Sequence, residues 1–158
     1  MKHIFKLSNA IIAGLLALLG FASCVENAPN EYGTPSAKYR INGRVTAAES
    51  NQPVREIKVV MREDSHWGLD GEPLWYSLDS AWTDASGNYH VVANTISIDE
   101  AAFQLEFSDT DGDANGAYRD TTVTVVFTDP VFTGGDGHWY KGEATQELDI
   151  ALTELTPN

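Results

Sequence analysis

From Ala37 onward the apolar residues of this chain recur at every second position, in short runs, with polar residues between them. Tyr39, Ile41 and Val45 share one face, and so do Ile57, Val59 and Met61. Leu74, Tyr76, Leu78 and Trp82 continue the pattern. Tyr89, Val91 and Ala93 follow, then Phe103, Leu105 and Phe107, then Val123, Val125 and Phe127, and finally Leu148, Ile150 and Leu152. Period two is the signature of a strand buried on one face only. The pattern predicts seven strands and an all-β fold, with at most one helical turn over residues 97–102. One-sided strands hide their apolar faces by stacking as two sheets, so the expectation is a single seven-stranded antiparallel β-sandwich over residues 37–154. Val59, Tyr89, Val91, Leu105, Phe107, Val123, Val125 and Ile150 are its expected core.

Turn residues separate the runs. Asn51-Gln-Pro53, Asp70-Gly71, Asp84-Ala-Ser-Gly87, Asp111-Gly112, Asn115-Gly116 and Gly134-Gly-Asp-Gly137 all fall between predicted strands, where Asp, Asn, Gly and Pro make tight reversals. Thr83-Asp-Ala-Ser-Gly-Asn-Tyr89 is echoed, two residues longer, by Thr110-Asp-Gly-Asp-Ala-Asn-Gly-Ala-Tyr118. Both read as hairpin turns that enter a strand through an aromatic.

The first residues obey a different rule. Lys2 and Lys6 precede an uncharged apolar stretch, 10–21, which ends in Ala22, Ser23 and Cys24. A basic start, a short apolar core and small residues at a cut site make a secretory signal. The core falls short of the about 20 residues that a membrane span needs. Phe21-Ala22-Ser23-Cys24 resembles a bacterial lipobox, which implies removal of residues 1–23 and lipid attachment to Cys24. Two or three acyl chains anchor firmly where one is marginal. Val25 rather than Asp after the cysteine implies the outer membrane, on either its periplasmic or its cell-surface face. Residues 24–36 read as a lipidated flexible tether. The signal contains two of the ten basic residues and none of the 23 acidic ones, leaving eight against 23 and a mature charge of −15. That balance excludes nucleic acid and anionic lipid headgroups, which need basic patches.

Ile41-Asn-Gly-Arg-Val45, Pro53-Val54, Ile57-Lys-Val59 and Thr83-Asp-Ala-Ser-Gly-Asn-Tyr89 resemble the carboxypeptidase regulatory-like domains. Those domains are small transthyretin-like (immunoglobulin-like) sandwiches, usually non-catalytic. The likeness spans residues 39–93 and implies fold without an active site. Over nearly the whole chain, the lipobox, Tyr32-Gly33-Thr34-Pro35, Asp111-Gly-Asp-Ala-Asn-Gly116 and Trp139-Tyr140-Lys-Gly142 are similar to the lipoproteins associated with radical SAM enzymes. That association implies a neighbouring radical SAM enzyme as partner. It marks Tyr32, Gly33, Thr34 and Pro35 as a segment for modification or recognition.

Asp111, Asp113 and Asn115 match the first half of a calcium-loop pattern, with Asp120 as a late ligand, because hard cations take several oxygens from a tight loop. Position twelve of that pattern is Thr122 rather than Glu, and a solvated hairpin turn accounts for the same residues. Calcium is thus the only cofactor expected, and a weak one. Trp67, Trp75, Trp82 and Trp139 suit strand packing; Trp67 and Trp139, in Gly-flanked loops, are the expected exposed pair for stacking on sugar rings. His66, His90 and His138 lack the spacing of a zinc site.

These readings converge on a lipid-anchored, non-enzymatic binding or structural module of the cell envelope. The alternatives are a substrate protein modified by a radical SAM enzyme and a carbohydrate-binding module. An enzyme ranks third.

Overall fold

Strand β1 (Ser36–Ala47) sets the architecture because it is the centre of one sheet. Ala37, Tyr39, Ile41, Val45 and Ala47 point inward and are buried, while Lys38, Arg40 and Arg44 alternate outward. The computed structural model describes residues 34–65, 74–112 and 114–155. Every regular element among them is a strand: β2 (Ile57–Ser65), β3 (Leu74–Trp82), β4 (Asn88–Thr95), β5 (Glu100–Asp109), β6 (Thr121–Thr128), β7 (Thr133–Gly134), β8 (Tyr140–Glu147) and β9 (Ile150–Leu152). One sheet has the order β4-β1-β8-β7 with β9 also on β1; the other is β3-β2-β5-β6. Residues 97–99 are irregular, with a bend at Asp99, and residues 100–102 already belong to β5, so no helical turn forms there.

The two inner faces meet over an aromatic centre. The Tyr39 ring lies 4.8 Å from Phe127, 5.4 Å from Phe103 and 5.5 Å from Phe132, and Tyr89 meets Phe107 edge-on at 5.4 Å. Each such side chain contributes roughly 1.5–3 kcal/mol by leaving water. Of the expected core, Val59, Tyr89, Val91, Leu105, Phe107 and Val125 are buried. Val123 and Ile150 are only half-buried, near the ends of their strands.

Three features depart from the sequence expectation. Among the described residues there are nine strands, not seven, because β7 and β8 carry no apolar alternation. The inward positions of β8 are Gly142, Ala144 and Gln146, small or polar residues that leave no period to read. The sandwich is not wholly antiparallel: β8 and β9 both run parallel to β1. They form one interrupted strand, broken where the Asp149 carboxylate, instead of a backbone carbonyl, accepts the Arg44 N–H at 2.8 Å.

The third departure is β3. Its inward positions opposite Val59 and Met61 are Ala81 and Asp79. A one-residue register shift opposite Met61 and Arg62 follows. Trp82 therefore projects to solvent (55% exposed), with Tyr76 and Leu78 also exposed. The segment is a strand as expected, but its alternation is interrupted: Trp82 lies outward opposite Lys58, whereas the shift leaves Leu78 unpaired and puts Tyr76 opposite Glu63.

Candidate functional site

The motif that carries the regulatory-like resemblance serves the fold. Thr83 is buried; its hydroxyl accepts the Ile57 N–H at 3.0 Å and donates to the Val54 carbonyl at 2.8 Å. Asp84 Oδ1 accepts the N–H groups of Ser86 and Asn88. Those backbone donors, Asn88 first, hold its carboxyl below the usual range. Gly87 turns with φ 77°, and a Cβ there would stand 2.4 Å from the Val45 carbonyl oxygen. Tyr89 then reaches back over Gly43, its register partner, to donate to the Leu148 carbonyl at 2.8 Å. A Cβ on Gly43 would lie 1.8 Å from that same oxygen. The glycine and the tyrosine are thus two halves of one device that seats the β8–β9 break.

The acidic turn is organised by hydrogen bonds. Asp109 accepts the N–H groups of Tyr118, at 2.9 Å, and Asp111. The Asn115 amide nitrogen donates to Asp111 and, at 2.9 Å, to Glu56. Glu56 is held at φ 62°. Asp120 Oδ1 accepts the Asp109 N–H at 3.2 Å. Of the four expected calcium ligands, Asp111 and Asn115 are brought together, Asp120 is engaged at the base of the turn, and Asp113 lies outside the described residues. The amide nitrogen of Asn115 holds the place between two carboxylates that a cation would take. Partial burial raises the Asp109 carboxyl above its usual range, whereas the Asn115 amide lowers that of Asp111. Among the described residues no three His, Cys, Asp or Glu side chains gather as a metal would require.

Trp139 is 37% exposed, as expected; Trp67, Cys24, Tyr32, Gly33 and His66 lie outside the described residues. Thr34 is exposed and Pro35 half-buried, immediately before β1. His90 and His138 are exposed on different segments.

Periodicity did not single out the cleft of about 470 Å³ lined by Glu63, Trp75, Ser97, Glu100, Ala101, Ala102 and Thr124. Trp75 supplies an aromatic face, two alanines leave room, and two carboxylates and two hydroxyls supply hydrogen-bonding groups. Glu63 accepts the Thr95 hydroxyl at 3.1 Å. The Tyr39 hydroxyl comes up from the core to donate to the Ser97 carbonyl at 2.7 Å. Burial first, then the charges of Asp99 and Glu63, raise the Tyr39 hydroxyl above its ordinary value. Only distant contacts along the chain (residues 63, 75, 97 and 124) assemble this cleft, so no local motif announces it.

The fold and its sites define the class: an all-β, two-sheet sandwich domain. No protein-family model matches the sequence, and no curated protein matches it. Among solved structures it is similar to the pilus 2b backbone protein of group B streptococcus. There the identity is 11%, with 74% of this chain and 41% of that one covered, at TM-score 0.47. It is also similar to transthyretin from Sparus aurata, at 17% identity, 73% and 91% coverage and TM-score 0.44. A DUF3823 family protein from Parabacteroides merdae matches at 18% identity, 77% and 47% coverage and TM-score 0.38. This chain thus spans under half the length of the pilus protein, and the likeness concerns strand arrangement alone.

Proposed function

We propose that the chain is a lipid-anchored, non-enzymatic binding module of the cell envelope, belonging with the lipoproteins associated with radical SAM enzymes. The lipobox-like segment ending at Cys24 supports the anchor. The observation that carries the binding role is the cleft beside β3. An aromatic face flanked by carboxylates and hydroxyls, with small residues between, is the chemistry that holds a sugar ring: stacking on one side, directional hydrogen bonds at the rim.

The test has two arms. Cys24→Ala should abolish detergent-phase partitioning and uptake of labelled palmitate; partitioning like wild type would overturn the anchor. On a glycan array, binding by the full chain should be lost in Trp75→Ala while the melting temperature stays put. Binding that survives Trp75→Ala, or an array without signal, would overturn the cleft. A second reading, modification of Tyr32–Pro35 by a partner enzyme, is favoured by the exposure of Thr34. A mass on the mature protein equal to chain plus lipid would remove it.

A further inference from the structure

Two open sheets present four edges, and an edge strand offers unpaired backbone groups to any extended chain. Three of the four edges here are guarded. On β4 the Val92 N–H is taken by Asp79 Oδ2 at 2.8 Å. On β3 the register shift breaks the line, and Asp79 is an inward-pointing charge. On the β7–β8 side, β7 is two residues long, Gly142 sits at φ 111°, and Lys141, Glu143 and Glu147 supply charge.

The fourth edge, β6, is capped at one point, the Val126 carbonyl, and otherwise lacks these guards. Its eight residues, Thr-Thr-Val-Thr-Val-Val-Phe-Thr, include no charge, proline or glycine. They pair with β5 in unbroken register from Phe107↔Thr121 to Glu100↔Thr128. In a strand the N–H and C=O of one residue point to the same side, and that side alternates along the chain. Val126 O accepts Gln146 Nε2 at 3.2 Å, from a strand of the other sheet, so Val126 turns its backbone away from β5. By alternation Thr122, Thr124 and Thr128 do the same. The side chains of all four are exposed. The edge runs for about 26 Å at ~3.3 Å per residue, with the Val126 carbonyl already taken.

We propose that β6 is a docking edge for an extended, basic segment of a partner protein, added as a fifth antiparallel or parallel strand. Charge selects this occupant. Exposed Asp120 and Asp129 stand immediately beyond the two ends of β6. Glu100, opposite Thr128, reinforces one end. At the other end Arg119 and Arg55, which donates to Asn115 Oδ1, are outnumbered by Glu56, Asp109, Asp111 and Asp120. A strand with Lys or Arg flanking an uncharged, β-branched stretch would place its cations over both acidic ends. The chain's own tether, residues 24–36, carries Glu26 and Glu31, no basic residue, and Pro29 and Pro35. A second copy paired symmetrically and antiparallel on β6 would bring Asp120 against Asp129. Both are disfavoured by the charge that favours a basic partner. The edge adjoins the cleft, whose lining includes Thr124 and Glu100, but it binds through backbone groups and does not depend on a sugar ligand.

The probe is an acetylated, fluorescently labelled ten-residue peptide of alternating Thr and Val with Lys at each end; its twin carries Glu at the ends. The full chain is titrated in neutral detergent at low ionic strength. The Lys-ended peptide should bind at least tenfold more tightly than the Glu-ended one, and salt should weaken it. Thr124→Pro removes an outward N–H that the sheet does not use. Edge strands tolerate proline at such positions, so the variant should melt like wild type yet lose binding at least tenfold. Asp120→Asn with Asp129→Asn should erase the preference for Lys ends. Equal affinity for both peptides, binding unaffected by Thr124→Pro, or no binding by either peptide would overturn the proposal. So would a wild-type dimer in sedimentation that Thr124→Pro dissolves, which would give the edge to a second copy. If Thr124→Pro melts early, Thr124→Lys is the substitute, with the same expected loss for the Lys-ended peptide.

Discussion

Tyr89 shows how much a single side chain does in this sandwich. Its ring packs edge-on against Phe107, and its hydroxyl satisfies the Leu148 carbonyl at the β8–β9 break. Tyr89→Phe keeps the ring and leaves that carbonyl without the bond, a loss of about 1 kcal/mol on the scale of ordinary hydrogen bonds. Burial, followed by Asp149 and Glu147, pushes the hydroxyl's pKa well up. The folded state thus holds the proton more tightly than the unfolded chain. The resulting stability is complete below the ordinary tyrosine value near ~10 and is lost as pH rises beyond it. Denaturant titrations from pH 8 to 11 should therefore show wild type losing stability above pH ~10 more steeply than Tyr89→Phe. Identical slopes would mean that the hydroxyl is not buried as described. At the acidic turn, millimolar calcium should raise the melting temperature only if it displaces the Asn115 amide from between Asp111 and Glu56. Half a calcium-loop pattern predicts affinity in the ~10⁻⁴–10⁻³ M range. Asp111→Ala should abolish the rise, and equal melting in calcium and chelator at matched ionic strength would leave a hydrogen-bonded turn.

At the scale of elements, β3 and β5 make opposite predictions from sequences that look alike. Phe107→Ala in β5 empties a fully buried site and should cost about 3–5 kcal/mol. Trp82→Ser in β3, equally aromatic on paper, removes an exposed side chain and should stay within about 0.5 kcal/mol of wild type in chemical denaturation. The reason lies in what alternation encodes. Period two says that a strand has two unlike faces, but only the neighbouring sheet decides which face is covered. For β1, β2, β4, β5 and β6 the apolar face is the covered one, so these strands and most of their core residues were legible. For β3 the one-residue shift interrupts the alternation, and Ala81 and Asp79 take the inward positions, which leaves Trp82 outside. β8 was illegible for another reason: Gly142 and Ala144 fit beside β1 by being small, and smallness leaves no hydrophobic period. The turn chemistry of Thr83–Tyr89 could be read locally because each hydrogen bond of Asp84 spans four residues or fewer. The cleft could not, since Glu63 and Thr124 meet Trp75 only through the sheet order β3-β2-β5-β6.

Across the whole molecule the mature charge of −15 competes with local electrostatics. Like charges in excess repel within the compact state, and salt screens them over about 10 Å at 0.1 M. Only two ion pairs stand on the other side among the described residues, Arg40–Glu143 at 2.7 Å and Arg62–Glu106 at 2.6 Å. Partly exposed pairs of this kind contribute about 0–1 kcal/mol each, so repulsion should dominate and sodium chloride should raise the melting temperature. Acid acts in two stages. Asp109, through burial, and Glu154, through burial and then Glu49, have carboxyls raised above the ordinary range. The folded state takes up those protons first, so stability grows as pH falls from neutral through their folded values. Asp84 and Asp136, each held by backbone N–H donors, and Glu143, held by Arg40, have lowered carboxyls. Their contribution is present above the ordinary carboxylate range and is lost as pH falls through their folded values. The melting temperature should therefore peak on the acid side of neutrality and fall steeply below pH ~4. Asp109→Asn should reduce the rise between neutrality and the peak, whereas Asp84→Asn should reduce the steepness of the fall beneath it. A melting temperature that declines steadily from pH 7 downward, at low salt, would show that the paired and capped carboxylates outweigh the excess charge.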